Sequence, residues 1–270
     1  MNALFNGVAA NDLALSRGLQ YGDGVFRTIL IWDGQLLDWN LHLEKLSEDC
    51  AALELSVPDF SLLKAEATQL AAEQAKAVLK VMVMRQPGGR GYRFDAQASD
   101  RLLLCYPAPQ YQEQCWTSGV NAFCSDFKLS LQPALAGIKH LNRLEQVLAS
   151  RNWPQAADEG ILCDQVGQLI SGTRSNLFWV RAGVLCTPSL EESGVSGMMR
   201  NKILALAESM RIPTSIVKAP RAELESADEA FVSNSLIGIW PLRQFEQREW
   251  MAPGAVTLKL SAALQHPRLV

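Results

Sequence analysis

The chain has 270 residues, 48% hydrophobic and 20% charged, a globular balance that can fill one large core or two modest ones. A net charge of −3, with neither a basic patch nor a charge block, argues against nucleic acid or an anionic membrane surface as a partner. No apolar run approaches the roughly 20 residues of a membrane span. The start, MNALFNGVAAND, lacks the basic-then-apolar pattern of a secretory signal, so a cytoplasmic protein is expected.

In chain order, Val25 to Trp32 reads as a strand, rich in β-branched and aromatic residues, and Asp33-Gly34 supplies a tight hairpin turn. Asn40 can cap a helix whose apolar positions Leu43, Leu46, Cys50 and Leu53 are spaced three, four and three. A second helix is expected from about Phe60 to Lys76, then strands at Ala77 to Met84 and Leu102 to Tyr106, separated by the glycine-rich Pro87 to Gly91. Pro107-Ala108-Pro109-Gln110-Tyr111-Gln112 has two prolines and no periodicity. It places a linker at 108–114, between a small α+β domain at 1–107 and a larger domain at 115–270.

The second half opens on a strand near Val120 to Cys124, then a loop holding Lys139 and a helix from about Asn142 with Leu141, Leu144 and Leu148 on one face. Strands follow at Gly160 to Asp164, Leu177 to Arg181 and Val184 to Thr187, with Val166-Gly167-Gln168 and Arg181-Ala182-Gly183 as hairpin connections. A helix from Met199 to Met210, strands at Ala230 to Ser233 and near Trp240, and a helix from Ala255 to Leu264 complete the chain. Strand runs and helices in this order indicate α+β rather than a doubly wound sheet.

The six cysteines form no CxxC pair and read as reduced core thiols. His42, His140 and His266 show no ligand spacing, so no metal site is expected. No GxGxxG, P-loop, HExxH or GxSxG motif is present, which removes the usual dinucleotide, nucleotide and serine-hydrolase readings. Four dispersed pieces remain. Gln20 to Thr28 holds two glycines around Asp23, a sharp turn into a strand. Ala136 to Glu145 sets Lys139 among apolar residues before a helix. Burial favours the neutral amine that a Schiff base requires, and a solvated loop lysine is the plain alternative. Gly194 to Arg200 opens a helix whose N–H groups and dipole suit an anion, or simply start a helix. Ser233 to Gly238 offers small polar residues that can donate to a phosphate or merely turn the chain.

Together and in this order, the four pieces resemble the class IV fold of pyridoxal-phosphate enzymes, a family of branched-chain aminotransferases, D-amino-acid aminotransferases and 4-amino-4-deoxychorismate lyases. The resemblance runs from about Asn6 to Leu242, and Gly88 to Tyr92 and Gly137 to Gln146 look most like the lyase branch. It implies a two-domain α+β enzyme that carries pyridoxal 5'-phosphate on Lys139, in the larger domain. The cofactor phosphate is expected near the backbone of Met198 and Met199 and near Asn234 and Ser235. It further implies a homodimer, with the active site between the domains and the partner's loops near its mouth.

Two positions depart from the family. Lys45 stands where an arginine usually binds the phosphate; lysine keeps the charge but not the bidentate fork. Ser171 stands where a glutamate, five residues before Asn176, usually pairs with the cofactor's pyridine nitrogen. A hydroxyl cannot stabilise a pyridinium as a carboxylate does, so the electron sink should be weaker. That favours an elimination driven by aromatisation: 4-amino-4-deoxychorismate giving 4-aminobenzoate and pyruvate in folate synthesis, with Lys139 as general base. Arg27, Arg85 and Arg90 are candidate partners of the substrate carboxylates. An aminotransferase, or a non-catalytic cofactor binder, are the competing readings.

Overall fold

The computed structural model describes residues 4–5, 8–9, 12–88, 91–94 and 98–270. The chain divides into two compact units, residues 1–108 with 138–142, and residues 109–137 with 143–270. The strip Ile138–Asn142, expected above in the larger domain, is therefore held by the first unit, because its main chain bonds to a strand there.

In the first unit, β1 (Leu4–Phe5) and β2 (Val8–Ala9) form a short antiparallel pair. After them come α1 (Arg17–Tyr21), β3 (Gly24–Trp32), β4 (Gln35–Leu36), α2 (Trp39–Ala52), α3 (Phe60–Ala71), β5 (Lys76–Arg85) and β6 (Ser99–Pro107). The last four strands make an antiparallel sheet in the order β4-β3-β5-β6. Alternation along β3 sends Val25, Ile29 and Ile31 into one core with Leu46 and Cys50 of α2 and Leu63 and Ala67 of α3. Each large aliphatic side chain buried there contributes roughly 1.5–3 kcal/mol.

The expected turn is present: Asp33 and Gly34 have φ of 48° and 74°, the mirror-image geometry that follows the twist of a hairpin. The helix boundaries differ. Helix α2 begins at Trp39, so Asn40 lies in its first turn and is not its cap; Asp38 precedes it in left-handed backbone without a capping bond. Helix α3 ends at Ala71, and Lys76 belongs to β5. Residues 74 and 75 give their carbonyls to Gly34 and Asp33, and Lys76 pairs with Trp32, so the sheet claims the chain before the helix can continue.

The second unit runs through α4 (Gln114–Thr117), β7 (Val120–Leu129), α5 (Leu144–Ala149), β8 (Glu159–Asp164), β9 (Leu169–Gly172), β10 (Asn176–Arg181), β11 (Val184–Pro188) and α6 (Met198–Ser209). It continues through β12 (Thr214–Val217), α7 (Arg221–Glu225), β13 (Glu229–Asn234), β14 (Gly238–Phe245), β15 (Arg248–Glu249) and α8 (Ala255–Leu264). Its sheet is mixed, in the order β12-β11-β10-β13-β14-β7-β8-β9, with β15 on β14. Strands β8 and β9 are buried along their whole length, so they show no alternation of apolar and polar residues.

Strands β9 and β12 were not expected, and α5 starts two residues late. Its Leu144 is exposed and Leu141 lies before the helix, so the apolar face expected from Asn142 is not a core face. The proline-rich stretch at 108–114 is anchored, not free: the Tyr111 N–H bonds to the Leu269 carbonyl, and its ring meets Trp116 and Trp240 edge-on.

Candidate active site

The first two motifs come together in the first unit. Gly22 ends α1 in left-handed backbone, and a Cβ there would lie 2.3 Å from Asn142 Oδ1. A Cβ on Gly24 would lie 2.4 Å from the Val83 carbonyl oxygen, so the two glycines let the strip 138–142 and β5 approach closely. The Leu141 N–H donates to the Gly24 carbonyl at 2.9 Å, and the Phe26 N–H to the Lys139 carbonyl at 2.9 Å. Asn142 Nδ2 donates to the Gly22 carbonyl at 3.2 Å. Lys139 is half-buried rather than deeply buried, and its Nζ lies 4.6 Å from the centre of the Phe26 ring.

Beneath this strip is a buried charge cluster. Arg27 falls on the core-facing side of β3 and is 2% exposed. It forms an ion pair with Asp49 of α2, which is 1% exposed. Asp49 also accepts from Lys45 Nζ at 3.1 Å and from the Lys139 N–H at 3.1 Å. Burial pulls the Arg27 guanidinium down to about 10, which leaves it charged at neutral pH, and pushes the neighbouring Cys50 thiol up to about 11.

Arg27 is thus committed to Asp49. Arg85 is equally committed: its Nε pairs with Asp23 at 3.1 Å, and its Nη atoms donate to the carbonyls of Glu54 and Leu53 at the end of α2. Both arginines, expected as substrate partners, are here paired with carboxylates of the first unit. Arg90 lies outside the described residues. The Lys45 amine is held by Glu48 at 2.8 Å as well as by Asp49, so much of its charge is already answered.

The second unit gathers the other two motifs around β9 and β10. Ser171 is buried in β9 opposite Leu162. The following turn, Gly172 to Asn176, is built on Glu159, which no motif had singled out. The Glu159 carboxylate is inaccessible to solvent and accepts from the Gly160 N–H, the Thr173 N–H and hydroxyl, and the Ser175 hydroxyl. Asn234 Nδ2 donates to the Arg174 carbonyl of that turn, while its Oδ1 accepts from the N–H groups of Leu236 and Ile237. Asn234 therefore shapes the loop and does not present a free amide. Ser235 follows in the same loop, where its carbonyl faces His266 Nε2 at 3.1 Å.

Asn176 joins this turn to α6. Its Nδ2 donates to the Val195 carbonyl at 2.8 Å, and its Oδ1 lies 2.2 Å from where a Gly197 Cβ would be. Gly197 is therefore the residue that fits. Gly137 completes the approach, donating to the Gly194 carbonyl and accepting from the Ser196 N–H. Gly197 offers α6 no capping side chain, and among the described residues no other side chain bonds the N–H groups of its first turn, at Met198 and Met199, which keep the capacity to bind an anion. In the second unit an uncapped helix start and a buried hydroxyl, and in the first a lysine amine, are each of the chemical kind that a phosphorylated pyridine aldehyde needs, so the residues present fit the cofactor expected above.

The pattern of the amino-transferase class IV family matches residues 24–245. An aminodeoxychorismate lyase of Vibrio harveyi is 33% identical over 241 residues, 88% of this chain and 89% of that protein. The crystal structure of 4-amino-4-deoxychorismate lyase from Pseudomonas aeruginosa is similar with a TM-score of 0.89 and 38% identity, covering 98% of both chains. A D-alanine aminotransferase of Bacillus licheniformis is 26% identical, over 98% of this chain and 96% of that one.

Proposed function

The chain belongs to the amino-transferase class IV family, and from that premise we propose that it is a pyridoxal-phosphate-dependent lyase. It splits 4-amino-4-deoxychorismate into 4-aminobenzoate and pyruvate, a step of folate synthesis. The observation that carries this reading is full-length likeness to lyases, at higher identity than to the aminotransferase compared with it.

When bound, pyridoxal phosphate supplies the electron sink for bond breaking at the amine-bearing carbon. Lys139 would hold the cofactor's aldehyde through Nζ, and once the substrate's amine takes that place the freed Nζ would accept the proton from the amine-bearing carbon. The main-chain N–H groups of Met198 and Met199 would hold the phosphate, with Lys45, Asn234 and Ser235 as further candidates for that role. The Ser171 hydroxyl would donate to a neutral pyridine nitrogen. A weaker sink would suffice where departure of the enolpyruvyl group is driven by aromatisation of the substrate ring. Arg27, Arg85 and Arg90 would be the candidates for the substrate carboxylates, with Arg27 and Arg85 already paired to Asp49 and Asp23.

The same reading includes a homodimer, consistent with the exposed Leu144 and Val147 on α5, and a cytoplasmic location, consistent with six free cysteines. Among the described residues no helix is long and apolar enough to cross a membrane. Light scattering on the purified protein checks the dimer.

The function is tested by incubating the protein and pyridoxal phosphate with 4-amino-4-deoxychorismate, beside Lys139→Ala. Equal amounts of 4-aminobenzoate and pyruvate, dependent on Lys139, are expected. No product from a folded, cofactor-loaded enzyme rejects the lyase and turns the search to amino-acid and keto-acid pairs.

A further inference from the structure

We propose that Asp49 is a positioning residue for Lys139, its buried carboxylate holding the main-chain N–H of that lysine so that the amine is presented in one place. The inference rests on the reading of Lys139 as the cofactor lysine. Three observations carry it, all within the first unit.

Asp49 is 1% exposed, and a buried carboxylate is retained only if it is paired and hydrogen-bonded. Arg27 and Lys45 supply the pairing. Those two cations stabilise the acid, and its Oδ2 also receives the Lys139 N–H at 3.1 Å. The Lys139 carbonyl, on the other side of the residue, is taken by the Phe26 N–H at 2.9 Å. With Leu141 bonded to Gly24, the peptide groups on both sides of the Lys139 Cα are fixed, and with them the direction of its side chain. The bond from the Lys139 N–H reaches Asp49 through the backbone. Asp49 acts through that bond, and the Arg27–Asp49 pair is the price of placing a strong acceptor inside an apolar layer.

Removing Asp49 alone would strand Arg27, so the test uses two double variants in which the buried guanidinium is also gone. Arg27→Met with Asp49→Asn keeps an oxygen acceptor for the Lys139 N–H. Arg27→Met with Asp49→Leu removes it at similar volume, and replacing a buried ion pair by apolar side chains is commonly neutral for stability. Each holoenzyme is examined by hydrogen exchange of the Lys139 amide, by the rate at which borohydride fixes pyridoxal phosphate on Lys139, and by steady-state kinetics.

The leucine variant is expected to exchange the Lys139 amide at least tenfold faster than the asparagine variant. Cofactor fixation and kcat should fall about tenfold, with KM within about threefold; these fold-changes correspond to one lost hydrogen bond. Equal exchange and equal fixation in the two folded variants would overturn the proposal. The wild-type protein supplies a check that needs no variant: a Lys139 amide that exchanges as fast as an open loop also overturns it. Borohydride fixation in the wild type separates the two readings. Fixation away from Lys139 sinks the cofactor assignment itself, whereas fixation on Lys139 with identical variants removes only the role of Asp49.

Discussion

Helices α6 and α8 begin alike and are completed differently. Each follows a glycine, Gly197 or Gly254, and neither glycine has a side chain to cap the helix. At α8 the gap is filled from β13: the Glu229 carboxylate accepts from the N–H groups of Val256 and Thr257, at 2.9 Å each, and from the Thr257 hydroxyl at 2.6 Å. At α6 no such bond is found among the described residues, and Asn176 braces the segment just before the helix instead. A helix whose start only has to be stable is closed by the protein's own carboxylate. A helix start left uncapped, on a glycine braced to accept close approach, suits a negatively charged group that arrives from outside.

Four changes break or sharpen this contrast. The largest effect is expected at the base of the α6 region. Glu159→Ala leaves the Gly160 N–H and the Thr173 and Ser175 hydroxyls buried without the carboxylate that accepts from them, while the Thr173 N–H keeps the Gly160 carbonyl. It should cost about 3–5 kcal/mol in urea unfolding. A loss below about 1 kcal/mol would mean that the turn does not depend on Glu159.

Next, Glu229→Ala uncaps α8 and should cost about 2 kcal/mol, a fall in Tm of roughly 5 °C. Cofactor affinity should be unchanged, since nothing at α6 is altered; weakened binding would mean that the two helix starts are not independent. Gly197→Ala does the converse. Its Cβ would displace Asn176 Oδ1, so the cofactor Kd should rise about tenfold while the melting of the cofactor-free chain moves little. An unchanged Kd would break the link between the helix start and the cofactor.

The smallest expected effect is a change of partition, not of stability. Ser171→Glu restores a carboxylate for the pyridine nitrogen and should divert part of the turnover to pyridoxamine phosphate, measured by absorbance in the presence of an amino acid and then a keto acid. Unchanged lyase flux with no pyridoxamine phosphate would show that Ser171 does not set the reaction type.

The legibility of the fold follows the physics of each element. The Asp33-Gly34 hairpin, the Ala255 to Leu264 helix and the inward stripe of α2 were readable because each is set by local backbone preference or by a period that a window of sequence contains. Strand β9, Leu-Ile-Ser-Gly, is four residues long and buried throughout, so neither length nor alternation marks it. The end of α3 was misplaced because hydrogen bonds from the Asp33-Gly34 turn, distant in sequence, decide it.

The site divides in the same way. Lys139 and the glycine-bounded start of α6 were singled out by motifs, whereas Glu159 and the bond from the Lys139 N–H to Asp49 were not. One signal for Asp49 did exist. Arg27 lies on the apolar stripe of β3 with Val25, Ile29 and Ile31, and Asp49 lies on that of α2 with Leu46 and Cys50. Opposite charges on two inward faces are each expensive alone, which makes each the other's natural partner.

The sequence by itself determined the order of the elements, the α+β character, the family resemblance and the two departures, Lys45 and Ser171, because these depend on which residues stand where along the chain. Only the tertiary structure decided that Arg27 and Arg85 meet Asp49 and Asp23, that Asn234 ties its own loop to the Arg174 turn, and that Lys139 bonds through its main chain to β3 of the first unit. Charge, burial and hydrogen-bond supply belong to neighbours in space. A guanidinium is a substrate clamp or a structural tie according to which carboxylates the fold brings to it, and no spacing along the chain contains that information.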